Sequence, residues 1–454
     1  MATKIVVIGG VAAGMSAASQ ARRRDPTCEV IVLQRGAEIS YSACGMPYNI
    51  GDPTRAMVDL VILKARDARE QRGIDVRTRH EVTQIDLAQC VVHVTDLESQ
   101  RRTTLPWDRL VLALGAAAVR PSVPGLEQQG VFMLREFEDG AAIKQYLKQT
   151  AVSGAVIVGA GYIGMEMADI LHGLGVGVTV LEKAGQILPG FAPEIVAVAQ
   201  RELARCGVPA LTGVSLRALR RDGADLVVST DTQELRAQLV IVAVGTRPEV
   251  ALAKAAGITL GESGAIAVDS AMRTSAPDVY AAGDCAEALH LVLGRPVWIP
   301  LGTTANKQGK VAGANAAGGD ETFGGIVGSA GFKLFDLEVA RTGLGPAEIE
   351  RAGIDAIAAA SQHHSRARNY PGDAPLTTVV YAERGSGRLL GAQMIGSESI
   401  AKRIDVFATA LHARMTLEQV EGLDLAYAPP FSPVMDPILI AANVGLKALA
   451  KARR

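Results

Sequence analysis

Aromatic side chains are scarce in this sequence: Phe, Trp and Tyr together supply 4% of the 454 residues. So few rings weaken any role built on stacking against bases. A large charge of either sign is missing too. The formal net charge is −1, which leaves no electrostatic case for nucleic acid. Cysteines number five, an odd and sparse set that argues against a disulfide framework and fits a reducing cytoplasm. No run of about 18 apolar residues is free of charge, so no membrane span is expected. The N-terminus leads straight into a strand-like run rather than a charged-then-apolar signal segment. These absences set the expectation of a cytoplasmic protein acting on a small molecule, and no metal site is expected.

What is present is apolar and rich in glycine: 48% of residues are hydrophobic and 48 are Gly. At roughly 100–200 residues per domain, the length gives room for about three domains with full cores. Ile5-Val6-Val7-Ile8 suits a buried parallel strand. It feeds Gly9-Gly10-Val11-Ala12-Ala13-Gly14 and then an Ala-rich helix from Met15 to Arg24. This is a strand–glycine turn–helix fingerprint with Val11 where the second glycine usually stands. Gly9 makes the tight turn, Gly14 allows close helix–strand packing, and the helix N-terminus offers free N–H groups to a pyrophosphate. A second strand, Val30–Leu33, ends at Gln34, where an acidic residue usually meets the ribose hydroxyls; Gln still has the means to hydrogen-bond one.

The signal recurs. Ala155-Val156-Ile157-Val158 leads into Gly159-Ala160-Gly161-Tyr162-Ile163-Gly164, a full Gly-x-Gly-x-x-Gly. A helix then runs through Glu166 to Leu174, and strand Val178–Leu181 ends in Glu182. A carboxylate there accepts from a ribose 2′-hydroxyl and repels a 2′-phosphate, which favours NADH, although Lys183 next door keeps NADPH open. Two such folds suggest two dinucleotides side by side. Other strands also end in glycine: Leu110–Leu114 at Gly115, Leu239–Val244 at Gly245, and Val279–Ala282 at Gly283-Asp284, whose carboxylate suits a sugar-like hydroxyl. Arg120–Gly125 reads as a linker. Arg66, Arg69 and Arg72 fall at three-residue spacing, enough to share a helix face. From about Gly324 the texture changes to strands such as Thr377–Ala382 and Leu389–Met394, a helix from Ile404 to Met415, and the stiff segment Tyr427-Ala428-Pro429-Pro430-Phe431.

Between the two folds lies Ser40-Tyr41-Ser42-Ala43-Cys44-Gly45-Met46-Pro47-Tyr48. Cys44 has no local partner, since the position five residues on is Asn49. If it is redox-active, its partner is a flavin, an oxidant or a small thiol.

The order of these motifs resembles the flavin- and pyridine-nucleotide-dependent disulfide reductases over essentially the whole chain. The lone cysteine in Ser42-Ala43-Cys44-Gly45-Met46-Pro47-Tyr48 is most similar to the coenzyme A-disulfide reductase type, among the NADH oxidase, NADH peroxidase and CoA-persulfide reductase relatives. The implied fold is α/β: two Rossmann-like dinucleotide-binding domains plus a C-terminal α+β dimerisation domain. The implied boundaries are 1–118 with 250–323 for FAD, 119–249 for NAD(P)H and 324–454 for a homodimer interface.

The resemblance further implies cofactor contacts at Gly9, Gly10, Ala12, Ala13, Gly14, Gln34, Arg35, Ser42, Val82, Gly115, Gly283, Asp284 and Ala305 for FAD. For NADH they fall at Gly159, Gly161, Tyr162, Ile163, Gly164, Glu182 and Gly245. Coenzyme A, as substrate or mixed disulfide, would meet Ser16, Gln20, Arg23, Ser40, Arg72 and Asn306, with Arg22 beside Arg23 as a second partner for its 3′-phosphate. Cys44 would be the nucleophile, with its pKa lowered by a helix dipole or local N–H groups. Tyr427 would reach the flavin–cysteine centre of the other subunit, and Tyr370, in Asn369-Tyr370-Pro371-Gly372, is implied as a further catalytic tyrosine. Departures from the pattern are Ala43 for a common Asn, Met435 for a common Lys, and Asn369 for the first of two tandem tyrosines. Val11, Ala12 and Ala13 stand where peroxidases and water-forming oxidases usually have a histidine, which favours a thiol or disulfide acceptor. An appended rhodanese domain, carried by some relatives, is not expected. Oxygen, persulfide or polysulfide as acceptor, and a non-turnover redox sensor, are the alternatives.

Overall fold

The computed structural model describes residues 2–452. Two five-stranded parallel sheets form its first two-thirds. One runs in the order Val279–Ala281, Arg109–Leu112, Lys4–Ile8, Glu29–Leu33, Ile74–Arg77. The other runs Ala210–Thr212, Gly177–Glu182, Gly154–Val158, Leu239–Val242, Val131–Phe132. Their central strands are near-continuous apolar runs because both faces are covered. Helices lie on one face. On the other lies a three-stranded antiparallel sheet, His80–Asp86, Val91–Asp96 and Arg102–Pro106 over the first and Leu216–Asp222, Asp225–Thr230 and Glu234–Ala237 over the second. Ile5, Val6, Val7, Ile157, Val240 and Ile241 are wholly buried. The strand Val279–Ala281 pairs in parallel with Arg109–Leu112, so chain from beyond the second sheet returns to complete the first.

Five helices frame the site: α1 (Ala12–Arg24), α2 (Met46–Ile50), α3 (Ala65–Arg72), α4 (Phe137–Gln149) and α5 (Tyr162–Gly173). The first begins at Ala12 rather than at the expected Met15, since the glycine turn itself winds into helix. It packs on the helix Gly302–Ala316 through small residues. A Cβ on Gly309 would lie 2.3 Å from the Ala13 oxygen, and one on Gly313 would lie 2.0 Å from the Ala17 oxygen, so only glycine allows this approach.

The last third is an antiparallel sheet ordered Ala330–Leu334, Leu337–Gly343, Leu389–Gly396, Pro375–Glu383, Ala356–His364. Helices Ile400–His412 and Pro437–Ala452 pack on it. The first of these starts four residues before the expected Ile404, because the Glu338 carboxylate accepts from the Ile400 and Ala401 N–H groups. The fold is mixed α/β with a C-terminal α+β part. No helix among the described residues is long and apolar enough to cross a membrane.

Candidate active site

Each parallel sheet delivers one glycine turn at the carboxyl end of its central strand. Gly9 stands at φ +100°, where a Cβ would lie 2.1 Å from the Ala113 oxygen; a Cβ on Gly14 would lie 1.8 Å from the Gly9 oxygen. In the second turn Gly159 stands at φ +107° with the Ala243 oxygen 2.3 Å from such a Cβ, and Gly164 would meet the Gly159 oxygen at 1.9 Å. All four positions demand glycine. No side chain caps the N-terminus of α1 or α5, so their first N–H groups are available to an anion. A Cβ on Gly161 would meet no atom within 4 Å, which explains why Val11 is accommodated at the matching position.

The side chain ending each second strand folds back on its own turn. Gln34 Oε1 accepts from the Gly10 N–H at 2.7 Å, which leaves its Nε2 as the donor for a hydroxyl. Glu182 accepts from the Ala160 N–H at 2.7 Å and the Ala184 N–H at 2.8 Å. Arg35 turns to Glu136 and Glu81. The Val82 side chain lies in the core, which leaves only its backbone for a ligand contact. Gly115 and Gly245 sit at φ +77° and +113°. Gly283, Ala13 and Ala305 converge: a Cβ on Gly283 would lie 2.7 Å from Ala13 Cβ and 3.4 Å from Ala305 Cβ. Beside them Asp284 pairs with Arg135 at 2.8 Å. A cavity of about 1300 Å³ runs along the second turn past Gly161, Tyr162, Glu182 and Gly245 to Pro300 and Leu301.

Cys44 occupies a single turn of 3-10 helix, Ala43–Gly45, directly before α2. The turn is tied down from both sides: the Ser42 N–H donates to the Leu60 oxygen at 2.9 Å, and the Gly45 N–H to the Ser42 oxygen at 3.0 Å. Ser40 before it holds φ +45° while its N–H donates to the Gly10 oxygen at 2.9 Å. The first glycine turn and the cysteine loop are therefore one unit. Cys44 is exposed at the surface, with protein packed around the rest of the residue. That burial pushes the thiol up, and Glu166 and Asp284 push it further against the pull of Arg135. These causes act against the expected lowering by a helix dipole, burial most and the two carboxylates after it. Glu166 is itself pushed up, by burial, and accepts from the Tyr48 hydroxyl at 2.7 Å.

A family model described as pyridine nucleotide-disulphide oxidoreductase matches residues 3–309, and its dimerisation domain matches residues 329–437. The chain belongs to the pyridine nucleotide-disulphide oxidoreductase family. It is 37% identical over 450 residues, 98% of each chain, to an NAD(P)H coenzyme A polysulfide/persulfide reductase of Pyrococcus horikoshii. It is 29% identical to a coenzyme A disulfide reductase of Staphylococcus aureus, covering 96% of this chain and 98% of the relative. The crystal structure of reduced Bacillus anthracis CoADR-RHD superposes with a TM-score of 0.96 at 32% identity, covering 99% of this chain and 81% of that one. Members of this family are flavin-dependent NAD(P)H oxidoreductases, and the two glycine turns, Asp284 and the cavity suit FAD and NAD(P)H.

The residues expected to hold a thiol substrate form a track along α1. Ser16 donates to Asn306 at 2.7 Å, and Arg23 donates to Gln20 Oε1 at 2.8 Å. Arg72, on α3, donates to Ser19 at 3.2 Å. Arg23 and Arg72 share with Ser19, Arg22 and Gln71 a depression of about 340 Å³. Arg22 lines this depression too, and its guanidinium donates to the Pro26, Cys28 and Arg72 carbonyls, so it also holds the fold. Of the three evenly spaced arginines only Arg72 faces the track; Arg66 pairs with Glu70 and Arg69 with Asp75. In the dimerisation domain Tyr370 and Tyr427 belong to adjoining segments, since the Ala367 N–H donates to the Pro429 oxygen at 3.3 Å. Sequence reasoning missed Arg135, which no motif marks, and the Tyr48–Glu166 pair, whose only signal is its spacing, four residues after Cys44 and after Tyr162.

Proposed function

We propose that the protein is an NADH-dependent coenzyme A-disulfide reductase acting as a homodimer, with Cys44 as its reacting thiol. One observation carries this reading. Cys44 is exposed, with Asp284 of the first nucleotide fold and Glu166 of the second near enough to act on its thiol, while Asn49, where a second thiol would complete a Cys-x4-Cys pair, is buried and hydrogen-bonded. The reacting disulfide must then form with a thiol from outside the chain.

The Cys44 thiolate attacks one sulfur of CoA disulfide, forming a Cys44–CoA mixed disulfide and releasing one CoA thiolate. The two electrons that split the mixed disulfide into the Cys44 thiolate and a second CoA thiolate are what bound NADH and FAD supply. Each released CoA thiolate takes up one proton. Asp284 and the α1 N-terminus hold the flavin's sugar and pyrophosphate, and Glu182 holds the ribose of NADH. Ser16, Gln20, Arg23, Ser40, Arg72 and Asn306 grip CoA, the arginines at its phosphates. Exposed Tyr427, Phe431, Val434 and Met435 form the apolar face that pairs two subunits and carries Tyr427 and Tyr370 toward the partner's cysteine. There Tyr427 of the partner subunit donates its phenolic proton to a leaving thiolate. A CoA persulfide as acceptor is the second reading, favoured by the name of the Pyrococcus horikoshii relative.

Cys44→Ser tests the mechanism, because it removes the nucleophile and barely changes volume. The variant keeps its flavin and its reduction by NADH but loses CoA-disulfide turnover by more than about 100-fold. Near-normal turnover overturns the reading. Comparing rates with CoA disulfide and CoA persulfide ranks the two acceptors.

A further inference from the structure

Asn49 and its only charged partner point to a device outside the reacting groups. Asn49 is 1% exposed and Lys144, on α4, is 5% exposed. The Lys144 ammonium donates to the Asn49 carbonyl, to Asn49 Oδ1 at 2.8 Å and to the Asp52 carbonyl at 2.8 Å. Asn49 Nδ2 in turn donates to the Ala56 carbonyl at 2.9 Å. All three ammonium protons are used, and every acceptor is neutral. A buried ammonium without a carboxylate in contact is costly, so its place needs a reason. The reason is α2. A five-residue helix cannot hold itself, and its last carbonyls require donors. A cation at a helix C-terminus is also electrostatically favourable.

The opposite side of α2 is held as well. Tyr48 donates to Glu166 on α5, and Gly51 packs so closely on Ile170 of α5 that a Cβ would lie 2.9 Å from its Cγ2. Both α4 and α5 follow strands of the second sheet, whereas Cys44 precedes α2 in the chain of the first. The cysteine is thus held from both halves of the molecule: its loop by Gly10 and Leu60 of the first, and the helix after it by α4 and α5 of the second.

We propose that Lys144 is a positioning residue for Cys44, acting through Asn49: it clamps the carboxyl end of α2 to α4 and so fixes the turn from which the sulfur projects. The position that would carry a second thiol is used instead to receive this clamp. The proposal rests on Cys44 being the reacting thiol, and the test separates the two ideas.

The test is Lys144→Met in the purified flavoprotein, with three measurements. Loosening α2 admits water to a thiol that burial holds up, so iodoacetamide alkylation of Cys44 at neutral pH becomes about three- to tenfold faster and its pH profile moves down. CoA-disulfide turnover falls roughly tenfold or more, because small misplacements of a reacting atom are costly in rate. Flavin reduction by NADH in stopped flow stays within about twofold, since no hydrogen bond of Lys144 reaches the glycine turns. Lys144→Arg restores part of the turnover. If Lys144→Met does not fold, Asn49→Ala, which keeps the two backbone acceptors, shows the same changes at smaller amplitude. Unchanged alkylation together with unchanged turnover in whichever variant folds overturns the clamp. If Cys44→Ser keeps full turnover, the catalytic reading fails, while the alkylation profile still judges the clamp.

Discussion

The two glycine turns reach the same backbone geometry with different residues. Gly9 and Gly159 lie within a few degrees of each other in φ, at +100° and +107°. Each donates its N–H to a carbonyl at the carboxyl end of the neighbouring strand, Leu33 or Leu181, at 2.8 and 2.7 Å. The residue before each glycine accepts a matching bond, Ile8 from the Ala113 N–H and Val158 from the Ala243 N–H. Where a Cβ would strike backbone, both turns keep glycine. Where it would point into the cleft, one has Val11 and the other Gly161. Where a side chain must accept from the turn, one has an amide, Gln34, and the other a carboxylate, Glu182. The invariant part of the fingerprint is what the protein needs for itself, and the variable part is what it offers to a ligand.

The largest way to break the comparison is to fill the tight positions one at a time. Gly14→Ala forces a Cβ against the Gly9 carbonyl, which costs about 1–3 kcal/mol or more as the helix shifts. Gly164→Ala does the same in the second turn. The first variant is expected to purify with little flavin and a lowered melting temperature. The second keeps its flavin but loses reduction by NADH. Flavin absorbance after purification and anaerobic NADH titration read the two outcomes. Loss of flavin from both, or from neither, would mean that the two turns do not serve separate ligands.

A smaller effect comes from exchanging the acceptor. Glu182→Gln gives the second turn the first turn's amide, whose oxygen still accepts from the Ala160 N–H, so the fold is kept. The negative charge that repels a 2′-phosphate is gone, with Lys183 left beside it. The ratio of kcat/KM for NADH over NADPH should fall by roughly tenfold, the scale of one charged hydrogen bond near 1.4 kcal/mol. An unaltered ratio would show that Glu182 serves only its own turn.

The central strands of both sheets and their turns were legible in the sequence because each signal is local, whereas the edge strands Ile74–Arg77, Val131–Phe132 and Ala210–Thr212 are too short or too polar to be read that way. Apolar runs such as Ile5–Ile8 and Val156–Val158 sit directly against the glycines they feed, and steric demands act over a few residues. The depression beside α1 was legible in part: Arg22, Arg23 and Arg72 all line it, but that Arg22 also spends its guanidinium on backbone carbonyls could not be read from the sequence. The shell around Cys44 was not legible, since it is built from distant chain. Arg135 meets Asp284 across 149 residues, Tyr48 meets Glu166 across 118, and Lys144 meets Asn49 across 95. That distance also explains the reversed thiol expectation. A helix dipole next to Cys44 can be read from spacing, but burial and two remote carboxylates cannot.

The finest test copies Val11 into the second turn. Gly161 has φ −81° and ψ −171°, an extended conformation open to any residue, and a Cβ there meets no protein atom within 4 Å. Gly161→Val should therefore leave stability unchanged within about 0.5 kcal/mol, as for a substitution that touches nothing. Its branched side chain would nevertheless enter the cavity beside the α5 N-terminus, where the second glycine lets a pyrophosphate approach the backbone. The expected result is a KM for NADH raised roughly three- to tenfold, the worth of a modest steric displacement of about 1 kcal/mol, with the disulfide half-reaction untouched. Thermal unfolding and steady-state kinetics measure both sides. An unchanged KM would show that the second turn binds its ligand as the first does, with room for a side chain; a destabilised protein would show that the open space belongs to the fold rather than to the coenzyme.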